Sequence, residues 1–131
     1  MKSLYINNFK NIKELSIDSL GRVNLITGKN NTGKTSLLEA ISIYASEGKI
    51  SNILDMLARR EEYHYENSEG RLEYNIKALT SLFYHRKNSF KKDDAIFIGE
   101  TDSNRQIVLD LWKYRTSINL VQFVYSNLFH Q

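Results

Sequence analysis

The sequence predicts an α/β fold in which helices pack against a mixed sheet. Three observations lead to this prediction. β-Forming runs with alternating apolar residues occupy both ends of the chain, and residues 35–85 between them repeat apolar side chains at helical spacing. A glycine-rich turn joins a β-rich run directly to the first helical run. The predicted order is three strands, three helices and three strands within one small domain, residues 1–131.

The N-terminal part is predicted to begin with a β-hairpin over residues 1–20. Two alternating runs, residues 4–6 and 14–18, flank a short polar turn, which is the pattern of paired antiparallel strands. Residues 22–27 are predicted to form a third strand, because this β-rich run carries apolar side chains at Val23, Leu25 and Ile26. A strand–loop–helix unit is therefore expected over residues 22–46.

The remaining elements are helices followed by strands. The helix over residues 35–45 is predicted to end near Gly48, and a helical segment is expected over residues 50–85, with Ser51 as its N-cap. Strands return over residues 94–125, in three runs: 94–99, 106–114 and 118–125.

Residues 28–35, Gly-Lys-Asn-Asn-Thr-Gly-Lys-Thr, match the phosphate-binding pattern G-x-x-x-x-G-K-[ST] at every position. The glycines let the backbone curl so that its N–H groups form a nest for anions. In such loops the lysine, here Lys34, reaches the β- and γ-phosphates, and the hydroxyl of the next residue, Thr35, can ligate Mg²⁺. The following helix points its positive end at the same phosphates. The alternative is an ordinary Gly/Asn turn, and the flanking strand and helix patterns argue against it.

Three runs around this loop carry a family resemblance. They are L-x-I-x-N-F-K-N-I at residues 4–12, L-G-x-V-N-L-I-x-G at residues 20–28, and N-x-x-G-K-T-S-L-L-E-A-I at residues 30–41. Together they resemble the start of RecF-like and SMC-like ABC-type ATPase heads. The resemblance is greatest to the AAA-type ATPases of the OLD (overcoming lysogenization defect) family and its relatives in bacterial and phage-defence systems.

The resemblance implies an ATP-binding lobe that uses ATP and Mg²⁺ and is linked to DNA metabolism or defence. The positions that match the family's phosphate- and Mg²⁺-binding loop are Gly28, Lys29, Asn30, Asn31, Thr32, Gly33, Lys34, Thr35 and Ser36. Lys10 and Asn11 fall where related heads place a residue near the nucleotide, although a solvated hairpin turn explains them equally well. Gln122 is a candidate contact for Mg²⁺ and the attacking water, with an ordinary surface glutamine as the alternative.

Hydrolysis in such heads also needs an acidic residue at the end of a buried strand to support Mg²⁺. No suitable run of apolar residues ending in Asp is present: Asp110 has only a short apolar lead, and Asp94 precedes its apolar run. The ABC signature segment is missing as well. We therefore expect the N-terminal lobe of a longer ATPase, incomplete for hydrolysis, whose exposed apolar surface would favour a homodimer or the remainder of a larger ATPase.

Two other function classes are compatible with the loop. One is a non-catalytic assembly or dimerisation module that retains it. The other is a GTPase or small-molecule kinase. The preceding hairpin and the absence of an N-K-x-D motif argue against a GTPase, and a kinase would need a lid with arginines, for which Arg59 and Arg60 are poor candidates. The histidines share no ligand spacing, and tyrosines such as Tyr84 are expected to be packing residues rather than platforms for base stacking.

Composition and net charge limit the binding partners and the cellular compartment that we expect for this chain. The net charge of +3 is too small to establish nucleic-acid binding, and the basic residues 86–92 predict a solvated loop, with a DNA-contacting loop as the alternative. Cysteine is absent, so disulfides and thiolate metal sites are excluded. Without a long apolar run or a signal-peptide pattern, we expect a cytoplasmic protein with no membrane partner, and with DNA or a nuclease as possible partners.

Overall fold

A computed structural model describes residues 1–29, 33–60, 77–86, 94–101, 103, 105–114 and 117–125. The strands in these ranges are β1 (Leu4–Phe9), β2 (Ile12–Ile17), β3 (Ile96–Gly99), β4 (Gln106–Tyr114) and β5 (Ser117–Tyr125). The helices are α1 (Lys34–Ala45) and α2 (Ile50–Arg59), residues 77–80 are also helical, and Tyr84–Arg86 forms one 3₁₀ turn.

The five strands form one sheet in the order β2-β1-β3-β4-β5, and each neighbouring pair is antiparallel. β1 pairs with a strand on both sides, so that Ile6 lies opposite Leu15 of β2 and opposite Ile98 of β3. The α/β class and the N-terminal hairpin are confirmed. The parallel pairing that would make the sheet mixed does not occur among the described strands.

The core lies between the sheet and the helices. Alternation along β1 buries Leu4 and Ile6 completely. α2 buries side chains at helical spacing, which confirms its predicted apolar face. The apolar face predicted for α1 is confirmed only at Tyr44, because Leu38 is 56% exposed and the buried face is turned towards Ala40 and Ile43. The buried hydrophobic residues of the two helices are Ala40, Ile43, Tyr44, Ile53 and Leu57. α1 packs against β1 and β3, and α2 against β5, so the helices cover the sheet from the N-terminal hairpin to its other edge.

The end of β1 is also joined to the segment that follows residues 77–80. Phe9 and Phe83, both fully buried, form an isolated antiparallel bridge, and the Lys10 N–H donates to the Leu82 carbonyl oxygen at 2.8 Å. The hairpin turn and the Tyr84–Arg86 turn are thereby brought side by side, although they are far apart in the sequence.

The boundary between α1 and α2 corrects one prediction. Gly48 adopts a left-handed φ of 67°, and its N–H donates to the Ile43 carbonyl oxygen at 2.8 Å, so the predicted stop after α1 is confirmed. α2 then begins at once, with Lys49 as its N-cap and no side-chain cap. The prediction that Ser51 caps this helix is wrong, because the short connection places Ser51 inside the first turn.

Residues 22–27 correct a second prediction, because they do not form a strand. Val23 and Leu25 are 91% and 89% exposed, and no described strand lies beside them. Asn24 instead closes a local turn: its side-chain oxygen accepts from the Gly21 N–H at 2.9 Å, and its amide donates to the Gly21 carbonyl oxygen at 3.0 Å. A strand needs a partner for its backbone hydrogen bonds, and a local side-chain turn competes where none is present.

The last helical prediction is described only in part. Residues 77–80 are helical within the predicted segment 50–85, and residues 61–76 lie outside the described ranges. The predicted end of this segment is wrong: residues 81–83 are not helical and Tyr84–Arg86 forms a 3₁₀ turn, because the backbone here bridges to β1 through Phe83 and Phe9. The three predicted C-terminal strands are confirmed as β3, β4 and β5. In the described part of the chain, no helix combines the length and the apolar character needed to span a bilayer.

Candidate functional site

The glycine-rich loop leads into α1 through Gly33, which is the N-cap of the helix at φ 97° and ψ 7°. The first helical hydrogen bond runs from the Leu37 N–H to the Gly33 carbonyl oxygen at 2.9 Å. No side chain caps this end, and the first turn contains no acidic residue. The N–H groups of the first turn and the positive end of the helix dipole therefore have no side-chain cap and no acid in the first turn to offset them, an arrangement that favours an anion.

Lys34 is the first residue of α1, and its ammonium group donates a hydrogen bond to the Gly28 carbonyl oxygen. This contact brings together the two ends of the predicted loop. Thr35 follows at an exposed position, and Ser36 is partly buried. Lys29 is exposed, and the predicted residues Asn30, Asn31 and Thr32 lie outside the described ranges.

The hairpin turn between β1 and β2 contacts the same loop. A Cβ atom placed on Gly33 would lie 3.2 Å from Asn11 Nδ2 and 3.3 Å from Asn11 Oδ1, so the amide side chain of Asn11 packs directly against the Gly33 backbone. The sequence singled out Lys10 and Asn11 together with the loop, and the structure brings Asn11 to it. Gly33 is required both by its left-handed φ and by this close approach.

Glu39 forms a charged cluster that sequence reasoning missed. This α1 carboxylate is only 8% exposed and makes ion pairs with Lys10, at 2.8 Å from Nζ to Oε2, and with Arg60 through Oε1. Oε2 accepts no hydrogen bond from the described residues, so Lys10 holds it by charge. The signal in the sequence was an acid inside an apolar helix, because a buried carboxylate needs a cationic partner.

An open cleft of about 610 Å³, here called the Ser36 cleft, adjoins the start of α1. Its lining includes Lys10, Asn11, Ser36, Arg60 and residues 83–86. His85 and Arg86 in this lining have left-handed φ angles of 57° and 56°, which is uncommon for residues other than glycine. The sequence signal for this segment was the consecutive run Phe-Tyr-His-Arg.

A second open cleft of about 370 Å³, here called the Lys34 cleft, also has Asn11 in its lining. It is lined in part by Thr27, Gly33 and Lys34, and Asn11 contributes to both clefts. The N-terminal end of α1 therefore lies between two concave surfaces that meet at one asparagine.

The remaining predicted residues are not brought to this site by any described contact. Gln122 lies in β5 opposite Leu109. The side chain of Asp110 accepts a hydrogen bond from the Leu111 N–H at 2.8 Å within β4. Among the described residues, no group of three His, Asp or Glu side chains could hold a metal ion.

Comparisons with known proteins identify the chain's relatives. The family described as AAA ATPase domain matches residues 1–127. An ATP/GTP phosphatase of Helicobacter pylori is 51% identical over 115 residues, 85% of this chain and 27% of that protein. An uncharacterized protein of Methanocaldococcus jannaschii is 35% identical over 105 residues, 79% of this chain and 44% of its own length.

A further relative matches over a shorter stretch of the chain. The DNA replication and repair protein RecF of Clostridium acetobutylicum is 47% identical over 49 residues, 37% of this chain and 13% of that protein. No solved structure matches the chain. The chain thus spans less than half the length of these relatives, 44% of the archaeal protein and 27% of the Helicobacter protein.

Proposed function

Because the chain belongs to the AAA ATPase domain family, we propose that residues 28–36 bind the triphosphate of ATP together with Mg²⁺. The observation that carries this proposal is the left-handed Gly33 at the uncapped start of α1, followed at once by Lys34 bonded back to Gly28. This geometry fits the group, because uncapped backbone N–H groups, the positive end of a helix dipole and the Lys34 side chain all belong to the start of α1.

Each residue of the loop has a distinct part in the proposed site. The N–H groups at the start of α1 donate to phosphate oxygens, and the Lys34 ammonium exchanges its Gly28 partner for the β- and γ-phosphates. The exposed Thr35 hydroxyl would hold Mg²⁺, which neutralises charge on the phosphates when bound. Asn11 maintains the Gly33 backbone in place and can donate its amide to the same phosphates.

The process served by the nucleotide is proposed from the relatives. The RecF relative is a DNA replication and repair protein, and the Helicobacter relative is an ATP/GTP phosphatase. These relatives support a nucleotide-dependent protein of DNA metabolism. Within that class we favour the OLD and RecF branch, on the residues of the N-terminal third that resemble it. In the whole protein, nucleotide binding would then control the handling of DNA or of a linked nuclease.

We propose that the 131 residues on their own bind ATP but hydrolyse it slowly or not at all. Catalysis in these heads needs a carboxylate at the end of a strand beside the phosphate loop. Residues 22–27 have no strand beside them among the described residues, and their apolar side chains Val23 and Leu25 are exposed to solvent. Further polypeptide that pairs with this segment would supply both the missing strand and the carboxylate.

A second candidate function is an assembly module that does not depend on nucleotide. The exposed apolar residues of the loop region favour it: Val23, Leu25, Ile26 and Leu38. Two measurements separate the candidates. A stable dimer in sedimentation velocity, with a melting temperature unchanged by Mg-ATP, favours assembly, whereas a ligand-binding lobe must melt at a higher temperature with ligand because binding stabilises the folded state.

The direct test of nucleotide binding is titration calorimetry with Mg-ATP. We expect Lys34→Ala to weaken binding about 10- to 150-fold, the range for losing charge-assisted hydrogen bonds to phosphate. Lys49→Ala is the matched control, because Lys49 is an exposed lysine of the same chain outside both clefts. Equal affinities of the two variants would contradict the proposal.

A further inference from the structure

We propose that the Tyr84–Arg86 turn binds the nucleobase of the nucleotide by stacking, and that it accepts adenine and guanine alike. This inference rests on the proposed nucleotide site and adds the class of base that it takes. The turn lies outside the loop motif and was expected to contain a packing tyrosine. Its position beside the start of α1 gives it a different role.

The residues that line the two clefts indicate which cleft would hold the phosphates and which would hold the nucleoside. In loops of this kind the lysine reaches the β- and γ-phosphates, and the backbone cradles the α- and β-phosphates. The Lys34 cleft, with Gly33 and Lys34, therefore takes the terminal phosphates. Asn11 is shared by both clefts, and Ser36 lines the other one, so the nucleoside extends past Asn11 into the Ser36 cleft.

The Ser36 cleft has the size and lining that a nucleoside needs. Its volume of about 610 Å³ falls within the range of roughly 300–1,000 Å³ for small-molecule sites. Tyr84 and His85 present adjacent rings, with centroids 4.0 Å apart and planes tilted by 57°. Tyr84 is half-buried and His85 is exposed, so the imidazole is the more accessible of the two rings.

The backbone of the turn is held in an unfavourable conformation at the same place. His85 and Arg86 are consecutive left-handed residues, and the Arg86 N–H donates to the Phe83 carbonyl oxygen at 2.9 Å. Phe83 is in turn fixed by its bridge to Phe9. Left-handed conformations of residues with side chains persist where surrounding structure enforces them, and they concentrate at ligand sites. Here the conformation directs His85 and Arg86 into the cleft lining.

The charged side chains that line the Ser36 cleft favour the binding of a nucleotide. Lys10 and Arg60 are both paired with Glu39, and Arg86 makes no ion pair with a described residue. Arg86 is thus available to the α-phosphate or to the face of a base, since guanidinium groups stack on rings. Selection of guanine commonly uses a carboxylate that accepts from the base, and no Asp or Glu is among the described lining residues. Stacking alone tolerates either purine.

The test compares nucleotides with a ligand that has no base. Wild-type protein is titrated with the Mg²⁺ complexes of ATP, GTP and inorganic tripolyphosphate. We expect ATP and GTP to bind within about threefold of each other and both to bind tighter than tripolyphosphate, by roughly the 5- to 100-fold that one stacked base contributes. A preference of more than about tenfold for one purine overturns the proposed tolerance.

His85→Gly is the informative variant, because glycine adopts a φ of 57° without strain and the substitution should therefore fold at least as well. We expect it to lose most of the advantage of ATP and GTP over tripolyphosphate and to leave tripolyphosphate affinity unchanged. Lys49→Ala, at an exposed lysine outside both clefts, is the control and should behave as wild type. Equal melting temperatures would confirm that folding is preserved.

The outcomes distinguish this inference from the proposed function. If His85→Gly leaves the ratio of ATP to tripolyphosphate affinity unchanged while Lys34→Ala weakens both ligands, the base assignment is wrong and the phosphate site stands. If neither ATP nor tripolyphosphate binds the wild-type protein, both proposals are overturned.

Discussion

Two segments with similar β-rich sequences fold differently. β1 and β2 form a paired hairpin, whereas residues 21–29 do not form a strand. β1 has a strand on each side, and its inward side chains Leu4 and Ile6 are fully buried. Residues 21–29 are exposed throughout and form no strand. Alternating apolar residues therefore show that a segment can form a strand. The strand forms only where a neighbouring strand is present to pair with it.

The same comparison divides the proposed phosphate site into two halves. Its downstream half, from Gly33 onward, is held by α1 and by Asn11 of the hairpin turn. Its upstream end, Gly28, follows the exposed segment that contains the Asn24 turn, and it is joined to α1 by the contact of Lys34 with Gly28. We therefore expect substitutions to affect stability strongly on the hairpin side and weakly in residues 21–29.

The largest expected difference in the free energy of unfolding is between the Ile6→Ala and Leu25→Ala variants. Ile6 is fully buried, so its truncation should lower the free energy of unfolding by about 2–5 kcal/mol. Leu25 is 89% exposed, so the same kind of truncation should stay within about 0.5 kcal/mol of wild type. Urea denaturation measures both, and comparable losses would show that residues 21–29 are packed in solution.

The next largest effect concerns the ion pairs that join the hairpin turn to the helices. Glu39→Ala leaves Lys10 and Arg60 without their carboxylate, and we expect a loss of about 2–4 kcal/mol because Glu39 and Lys10 are mostly buried. Glu47→Ala is the matched control: its pair with Arg105 at 2.9 Å is largely exposed, so its loss should be about 0–1 kcal/mol. Equal losses of stability in the two variants would contradict the structural role assigned to Glu39.

A smaller effect is expected where the hairpin turn meets the loop. Gly33→Ala forces a residue with a side chain to φ 97° and places its Cβ 3.2 Å from Asn11 Nδ2, and a loss of about 1–2 kcal/mol should follow. Gly21→Ala is the control, because its Cβ would have no neighbour nearer than 3.5 Å and its φ needs no left-handed conformation. Thermal melts without ligand compare the two, and an equal loss at both glycines would refute the contact.

The smallest effect lies within the hairpin itself and depends on pH. Burial, and then the charge and hydrogen bond of Glu14, raise the pKa of Tyr5 above its ordinary value of 10.0. The folded state therefore retains the phenol proton more strongly than the unfolded state. Wild-type stability should fall as the pH rises above about 10, and Tyr5→Phe should fall less over the same range. Parallel pH profiles of the two proteins would contradict this assignment.

Local patterns predicted most of the elements, since the hairpin, α1, α2 and the three C-terminal strands follow from periodicity and turn residues. The predictions at residues 22–27 and Ser51 were wrong because strand pairing and the length of a connection decided the outcome. The Glu39 cluster and the Tyr84–Arg86 turn were missed because each depends on contacts between distant residues, such as the one between Lys10 and Leu82.

Amide hydrogen exchange, with and without Mg-ATP, tests the phosphate site most directly. With ATP at ten times its dissociation constant or more, we predict that exchange at Lys34, Thr35 and Ser36 slows roughly tenfold, because their N–H groups then donate to phosphate. Residues 22–25 provide the internal control and should exchange at an unchanged rate. Unchanged exchange at residues 34–36 under saturating ATP would contradict the central claim.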